Sequence, residues 1–486
     1  MTRVSTRPHG PPGPSPAGRA GTHGPAEDAP TTPIGLPIEP NGPIERLMSA
    51  LIRKLAWSRL ADPRIAVSLS GAGLLLGMIL GATAPNAETV PIRLPLSILP
   101  TMHQHVIASL LMWTGDILAC LGLAGMLWAH SQGWRPDPRR LWLISAGIVA
   151  VMVSLTPVGS SDTGSYAAYG RIASQGGNPY ATNPHAWGDT AYTLIVGTMW
   201  KKQSSVYGPF ATVIQSFAAS IGGPNPAITI WVLMILNGLA FIGVGWLLLK
   251  TSDDPVRATL FWTANPVLIQ QLVSGGHLDT FVAAAAICAI QVARRLPTIG
   301  GDVLAGALVG VACGIKIYAV LIGLGLAWPL LRRREYARTA RMTAAALGTL
   351  ALGYGFYGTS ALKPLFGGLS LVTLPSPWRI FELSGLWLGV PKSTLVTIIS
   401  VGWPIALFVV AWLISRRISR DQPLEVVAPF ALTFAWILVA PWVFAWYTAV
   451  AWAALTQVPR NRMTRWLTIV TVFLALCLSS GGQAHL

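Results

Sequence analysis

The chain has 486 residues, of which 52% are hydrophobic and only 11% are charged, and its net charge is +16. Soluble globular proteins carry roughly 25% charged residues, and this chain has recurring apolar runs of roughly 18 or more residues, each long enough to cross a membrane. The composition therefore excludes an ordinary soluble protein. Closed β-barrels show short alternating segments instead of long apolar runs, so we predict an all-α polytopic membrane protein.

The positive charge resides mainly in arginines of the short loops between apolar runs. This is the distribution that the positive-inside rule expects for cytoplasmic loops. The charge therefore orients the chain in the membrane, and no nucleic-acid partner is predicted. Membrane lipids are the expected surroundings.

The N-terminal part of the chain differs in composition from the rest. Residues 1–43 contain 11 of the 37 prolines, together with glycine, serine and threonine. Such a segment buries too little apolar surface to order itself, so we predict a disordered cytoplasmic tail. Residues 44–64 place basic side chains among apolar ones and are predicted to lie along the membrane surface. Residues 65–486 then form the transmembrane domain.

Eleven apolar segments follow in chain order, and each is predicted to be a membrane-spanning helix. Two further segments fit a simple span less well, so we expect about 11–14 helices with some re-entrant segments. The eleven predicted spans are 65–84, 106–129, 141–160, 228–250, 257–274, 278–293, 341–358, 394–414, 424–440, 443–457 and 465–482.

The segments that fit less well are residues 207–221 and 303–330. The first is short and is predicted to be re-entrant or to lie at the interface. The second has 28 residues between two basic flanks, which is long for one crossing and short for two. If both flanks are cytoplasmic, the segment must turn back near "CGIKIY". The turn places Lys316 within the bilayer or on its far side, where it either faces a cavity or a partner or snorkels to the interface.

The unusual polar residues of this acid-poor chain collect on one predicted face. The basic loops place the N-terminus in the cytoplasm and the end of the third span outside. Each polar residue has a structural alternative, such as an N-cap role for Asp162, or a capping role for His277 and Asp279 in the next helix. Taken together they favour a functional site. The residues on this extracytoplasmic face are Asp162, Arg171, His277, Asp279, Lys316 and Arg379.

Several common kinds of active site are missing from the sequence. There is no GxxxxGK[ST] loop, no HExxH and no GxSxG, and the four cysteines are not in CxxC spacing, so no metal or cofactor is predicted. A carboxylate at the membrane surface with basic groups nearby suits transfer from a lipid-linked phosphate donor. Asp162 would deprotonate an acceptor hydroxyl. Lys316, Arg171 and Arg379 would hold the leaving phosphate.

The aromatic run "APWVFAWY" contributes Trp446 and Tyr447. Aromatic residues in this setting either anchor the protein at the membrane interface or stack on an acceptor sugar. Both interpretations stay open at the level of the sequence.

Five ordered motifs between about residues 100 and 460 resemble those of a known family. The chain resembles the GT-C membrane glycosyltransferases, most closely the actinobacterial polyprenol-phosphate-mannose-dependent α-(1→6)-mannosyltransferases of lipomannan and lipoarabinomannan assembly in the cell envelope. The resemblance implies a GT-C-like fold in the plasma membrane with an extracytoplasmic active-site loop. The motifs are "SSDTGSYAAYGRIASQGGNPY", "SSVYGPF", "NPVLIQQLVSGGHLDT", "GIKIYA" and "APWVFAWYTAVAW".

The resemblance also implies a reaction. A polyprenyl-phosphate mannose donor gives its sugar, with inversion, to a glycolipid or lipoglycan acceptor, and Asp162 is the general base. The alternatives are a lipid-linked sugar flippase or transporter, a GT-C enzyme with another polyprenyl-phosphate sugar, and a membrane scaffold or a ligase that joins whole glycans. The matching positions expected to line the site are Tyr166, Arg171, Tyr207, Gly208, His277, Asp279 and Lys316.

Overall fold

The computed structural model describes residues 60–84, 88–363, 372–418 and 422–477. The tail predicted for residues 1–43 and most of the surface segment predicted for 44–64 lie outside this part of the chain. Every regular element within the described residues is a helix, apart from one isolated antiparallel bridge between Thr89 and Val158. The prediction of an all-α chain is confirmed.

The α-helices of the described residues are numbered here in chain order, and short 3₁₀- and π-helical segments lie between some of them. The α-helices are α1 (Pro63–Ala82), α2 (His105–Ser131), α3 (Pro138–Met152), α4 (Asp162–Ser174), α5 (Pro184–Trp187), α6 (Thr190–Leu194), α7 (Pro209–Gly222), α8 (Pro226–Thr251), α9 (Pro255–Phe261), α10 (Pro266–Leu268), α11 (Asp279–Arg295), α12 (Ile299–Cys313), α13 (Val320–Arg332), α14 (Tyr336–Tyr357), α15 (Pro377–Trp387), α16 (Lys392–Arg417), α17 (Leu424–Val439), α18 (Thr448–Leu455) and α19 (Met463–Cys477).

Four of these helices, α1, α2, α8 and α16, are long and apolar enough to cross a membrane. They match four of the predicted spans, since about 20 residues of helix rise about 30 Å, the thickness of the hydrocarbon core. Glycines let α1 and α2 pack closely. A side chain at Gly73 would come within 2.7 Å of the backbone of Gly115 and Ala119, and small residues of this kind allow membrane helices to approach each other.

One predicted span, 257–274, is not a single helix, and the prediction was wrong there. The segment divides into α9, α10 and a π-helix over Ile269–Ser274. Pro266 has no backbone N–H and disfavours a helical residue before it, so the first helix must end. Asn265 then starts the next helix, because its side chain accepts hydrogen bonds from two backbone N–H groups that follow.

Two further predicted spans, 141–160 and 443–457, contain shorter helices than expected. Helix α3 ends at Met152, and α18 begins at Thr448 after a 3₁₀ turn over Ala445–Tyr447. Irregular backbone at membrane depth is tolerated only where protein covers it or where it lines a cavity. Both irregular stretches lead directly to predicted site residues.

The turn predicted near "CGIKIY" is confirmed. Helix α12 ends at Cys313 and α13 begins at Val320. The two helices run back along each other, since a side chain at Gly323 would meet Val309 at 2.9 Å. The 15 residues of α12 rise only about 22 Å, less than the roughly 30 Å of a hydrocarbon core. Lys316 therefore lies at the tip of a helical hairpin. The short segment predicted at 207–221 corresponds to α7.

The innermost helices position the tip of this hairpin against the rest of the molecule. All the residues of α18 are buried, and α11 packs against α8, α12 and α18. The start of α11, with the preceding sequence "GGHLD", is thereby fixed in the interior.

Candidate active site

The irregular segments between the helices meet at one place. The backbone N–H of Val158 donates to the carbonyl of Ser274 at 3.0 Å, and that of Gly208 donates to the carbonyl of Ile315 at 3.1 Å. A side chain at Gly208 would collide with the carbonyl oxygen of Gly314, so the close approach requires glycine. Motifs that lie far apart in the sequence are thus joined in pairs.

Asp162 opens helix α4 and directs its carboxylate into this junction. Ser161 occupies the N-cap position, so Asp162 is not the cap that the simplest alternative supposed. Its Oδ2 accepts a hydrogen bond from the Tyr166 hydroxyl at 3.2 Å and lies 3.5 Å from Nδ1 of His277. The Asp162 side chain is 23% exposed. A carboxylate with one open side is able to accept a proton from a ligand.

The surroundings of Asp162 keep it charged. Burial acts to raise the pKa of its carboxyl, but His277, Lys316 and the Tyr166 hydroxyl outweigh burial and hold this pKa below its ordinary value. The carboxylate is therefore ionised at neutral pH and can accept a hydrogen bond from a hydroxyl group.

His277 is held from two sides. Its imidazole stacks on the indole of Trp446, with ring centroids 3.7 Å apart and 12° between the planes. Trp446 stacks in turn on Phe444 at 4.5 Å, and it is only 6% exposed. The carbonyl of His277 accepts a hydrogen bond from Nδ2 of Asn237 at 2.7 Å. Trp446 therefore orients an imidazole beside Asp162, and in this arrangement it offers no free face to a sugar ring.

Lys316 reaches the same cluster from the tip of the α12–α13 hairpin. Its Nζ lies 2.6 Å from Oδ2 of Asp279, and the Tyr318 hydroxyl donates to Oδ1 of that carboxylate at 2.7 Å. Asp279 is fully buried and the Lys316 side chain is 10% exposed. The prediction that Lys316 faces a partner is confirmed, and the partner is Asp279.

Two tyrosines lie beside the lysine. The Lys316 ammonium is 4.9 Å from the ring centre of Tyr447 and 5.9 Å from that of Tyr207. The ring of Tyr207 also packs edge-on against Tyr166, with centroids 5.0 Å apart. Tyr207 therefore contacts both the lysine and the tyrosine that holds Asp162, and it joins the two halves of the cluster.

Comparison with known proteins identifies the family. Residues 67–332, more than half of the chain, match the family described as "Alpha-(1->6)-mannopyranosyltransferase, N-terminal domain". The chain belongs to this family. Asp162, His277, Asp279 and Lys316 all lie within the matched residues.

Individual members of the family are distant relatives. An alpha-(1->6)-mannopyranosyltransferase A of Mycobacterium tuberculosis is 27% identical over 374 residues, which cover 73% of this chain and 68% of that protein. A protein of the same name from Corynebacterium glutamicum is 25% identical over 265 residues, 51% of this chain and 52% of that protein. A probable alpha-(1->6)-mannopyranosyltransferase of Mycolicibacterium smegmatis is 26% identical over 254 residues, 51% of this chain and 40% of that protein. No solved structure matches the chain.

The family match tests the protein class that was predicted from the sequence. The prediction of a glycosyltransferase is confirmed by the family match. The prediction of a membrane protein agrees with the four long apolar helices.

Two of the predicted phosphate ligands of this family member are engaged elsewhere. Nε of Arg171 donates to Asp189 at 3.0 Å, and the guanidinium of Arg379 pairs with Glu382 at 2.8 Å. Among the described residues, neither arginine contacts the Asp162 carboxylate. The structure brings the lysine of the predicted set to the cluster, whereas the two arginines would have to leave their carboxylates to join it.

Sequence reasoning missed two polar groups that hold the cluster together. Asn237 bonds the His277 carbonyl, and its Oδ1 accepts from the Thr280 hydroxyl at 3.2 Å. Asn237 could have been found from the sequence, since it is an amide inside the 26-residue apolar helix α8. Polar groups in such helices face the protein interior. Tyr318 bonds Asp279, and its only signal was its place on the turn beside Lys316.

The side chains of the cluster are suited to acid–base chemistry and anion binding rather than to metal binding. In the part of the chain that the structure describes, no three His, Cys, Asp or Glu side chains come together as metal ligands would. The cluster offers instead an ionised carboxylate, a lysine and aromatic walls. These groups can remove a proton from a hydroxyl and bind an anion.

Proposed function

We propose that this protein transfers a mannosyl unit from polyprenyl-phosphate mannose to a glycolipid or lipoglycan acceptor and forms an α-(1→6) linkage. The relatives named above are alpha-(1->6)-mannopyranosyltransferases. The observation that carries the proposal is the meeting of the partly open carboxylate of Asp162 with Lys316 in one cluster. The two groups match the needs of the reaction, a base for the acceptor and a cation for the leaving phosphate.

The proposed reaction exchanges one bond and moves one proton. The acceptor oxygen bonds to C1 of the mannosyl unit, and the bond from C1 to the phosphate oxygen breaks. The hydroxyl proton passes to Asp162. Polyprenyl phosphate leaves with the electron pair and is held by Lys316. Because attack comes from the side opposite the leaving group, a β-linked donor gives an α-linked product.

Donor binding would also strengthen the base. A carboxylate with a low pKa is a weak base in the empty site, because a good general base has a pKa near the working pH. A phosphate beside Lys316 would offset part of the positive charge that lowers the pKa of Asp162. The bound donor therefore raises the basicity of Asp162 when the acceptor arrives.

The charge distribution along the helices supports a reaction on the extracytoplasmic face. Helix α11 begins at Asp279 and ends with Arg294 and Arg295, after 17 residues, which is about 25 Å of helix. Helix α13 likewise leads away from the turn of Lys316 and ends at Arg332. The basic ends lie away from the cluster, and the positive-inside rule assigns them to the cytoplasm.

The test is transfer by the purified protein in liposomes. Radiolabelled polyprenyl-phosphate mannose is the donor, octyl α-mannoside is the acceptor, and NMR identifies the linkage in the product. We expect a labelled disaccharide with an α-(1→6) linkage. Polyprenyl-phosphate glucose and arabinose are offered in parallel, and preference for either would overturn mannose as the sugar. Movement of labelled donor across the bilayer without transfer would indicate a transporter.

A further inference from the structure

Helix α15 presents an apolar face to its surroundings. It has only 11 residues, about 16 Å of helix, so it is too short to cross a membrane. Its buried residues are Glu382 and Gly385. The opposite face carries Ile380, Leu383 and Trp387, which are 72%, 50% and 87% exposed. An apolar patch of this kind marks a contact with a partner or with lipid.

The contacts of α15 place it beside a helix that is long enough to span the membrane. A side chain at Gly385 would collide with Leu395 near the start of α16, and one at Gly402 of α16 would come within 2.9 Å of the Trp378 ring. The two helices therefore run in opposite directions. Gly402 lies 10 residues after Lys392, the first residue of α16, which is about 15 Å of helix. The start of α15 thus lies beside the middle of a span, since half of a hydrocarbon core is about 15 Å thick.

The apolar face of α15 adjoins a surface of α16 that faces lipid. Val401 and Ile405 flank Gly402 on α16, and both are exposed on a helix that is apolar enough to cross a membrane. The two charged residues of α15, Arg379 and Glu382, pair with each other at 2.8 Å, as charged groups within a membrane do. The exposed surface of α15 is therefore continuous with the membrane contact of α16 and matches it in chemistry.

The polar groups at the start of α15 serve the irregular backbone that follows α17. The Ser376 hydroxyl donates to the carbonyl of Ala440 at 2.9 Å, and the indole N–H of Trp378 donates to the carbonyl of Val439 at 2.6 Å. Helix α17 ends at Val439, so these carbonyls have no partner within the helix. Irregular backbone at membrane depth must be satisfied by protein groups. The start of α15 supplies them and fixes the backbone that leads to Trp446.

We propose that α15 is a re-entrant helix embedded in the membrane leaflet on the side of the Asp162 cluster, with the acyl chains of membrane lipids against its exposed face. The helix leads from the interior of this leaflet towards its surface, and the chain then crosses the membrane in α16. Trp387 lies at the outer end of α15, and tryptophan is enriched at membrane interfaces. The inference goes beyond the proposed function and does not depend on it, because it concerns the lipid contact of the protein and not its reaction.

Spin labels in liposomes measure this placement. In a background with the four native cysteines replaced by alanine, a nitroxide is attached to each of Ile380→Cys, Leu383→Cys and Trp387→Cys. These side chains are exposed, so the label disturbs no packing. Val401→Cys on α16 is the reference for lipid, and Gln203→Cys, at an exposed residue outside the long apolar helices, is the reference for water. Collisions with oxygen report the bilayer, and collisions with a nickel chelate report water.

We expect the three labels on α15 to collide more with oxygen and less with nickel than the label at Gln203 does, in the manner of the label at Val401. The label at Ile380 should lie deeper than the one at Trp387, by up to about 10 Å, the rise of seven helical residues. Nickel collisions at the level of Gln203 place α15 in water and overturn the proposal. Shielding from both reagents also overturns it, because protein, such as a second copy of the chain, would then cover the face.

A second measurement keeps the native cysteines and does not depend on the folding of the cysteine-free protein. Opened membranes, in which both faces are accessible, are treated with a membrane-impermeant maleimide. Leu383→Cys should gain no label over the wild-type protein, because its thiol lies among acyl chains, whereas Gln203→Cys should gain label. Labelling of Leu383→Cys to the same extent as Gln203→Cys overturns the proposal.

Discussion

At the scale of single residues, two fully buried carboxylates of the described chain, Asp279 and Asp302, are each paired with a basic side chain. Asp162, His277 and Lys316 could be predicted from the sequence, because such residues are rare in apolar segments and mark function there. The partner of Lys316 could not be predicted from the sequence. Asp279 lies 37 positions earlier in the chain, and the contact depends on how the α12–α13 hairpin docks against α11.

The role of the aromatic run near the C-terminus also could not be predicted from the sequence. Its spacing was compatible with an anchor at the membrane interface or with a platform for a sugar. The stack of Trp446 on His277, with only 12° between the rings, depends on the relative placement of α18 and the "GGHLD" turn. No local pattern in the sequence encodes that placement.

Replacement of Lys316 should separate its two roles. Lys316→Met is expected to weaken donor binding and to destabilise the protein, because Asp279 is left buried without its cation. Loss of one partner from a buried ion pair costs about 3–5 kcal/mol. The double variant Lys316→Met/Asp279→Asn should regain most of the thermal stability but not the affinity for polyprenyl-phosphate mannose.

The control for this series is Lys202→Ala, at an exposed lysine outside the cluster. It should leave both thermal stability and donor affinity at the wild-type values. Wild-type donor affinity in the double variant would show that Lys316 does not hold the phosphate.

At the scale of elements, the sequence predicted where the long helices lie better than where they break. The reversal at "CGIKIY" was predictable because basic flanks bound an apolar segment of unsuitable length. The break before Pro266 had a signal in the Asn265–Pro266 pair, but a continuous apolar run concealed it. The π-helix over Ile269–Ser274 has no signal of its own, because the same apolar residues fit an ordinary helix.

The "GGHLD" turn is the element on which the position of Asp162 depends. Gly276 has a φ of +67°, and a side chain there would collide with Thr163, the neighbour of Asp162. Gly276→Ala should therefore displace the carboxylate. A displacement of about 1 Å can cost about 10²-fold in rate, and we expect a loss of that order in the turnover number.

Gly176→Ala is the matched control for this substitution. Gly176 also has a positive φ, +81°, but an added side chain would have nothing within 4 Å. The variant Gly176→Ala has a similar backbone strain without the collision. Its turnover number should therefore stay close to that of the wild-type protein. Equal losses in the two variants would assign the effect to backbone strain alone.

At the scale of the whole molecule, the irregular backbone and the basic loops lie at different ends of the helices. The end away from the cluster has its own polar network. Asp254 accepts a hydrogen bond from Arg460 at 3.0 Å and lies 3.4 Å from His130, and Arg257 donates to the carbonyl of Val458 at 2.7 Å. The sequence predicted this separation from its charge pattern, whereas the contacts across the network depend on the packing of distant helices.

Single cysteines would test the proposed orientation of the two ends. In a background with the four native cysteines replaced by alanine, Gln203→Cys should react with a membrane-impermeant maleimide added to intact cells, since Gln203 is exposed beside α4. Arg295→Cys, at an exposed position at the end of α11, should react only after the membrane is opened. The reverse pattern would place the cluster on the cytoplasmic face.

The central claim is that Asp162 removes the proton of the acceptor, and the turnover number of Asp162→Asn tests it most directly. We expect this variant to bind polyprenyl-phosphate mannose like the wild-type protein and to lose about 10²- to 10⁴-fold in mannosyl transfer, because the amide cannot accept the proton. Transfer at the wild-type rate by Asp162→Asn would contradict the claim and would direct the search for the base to Asp279.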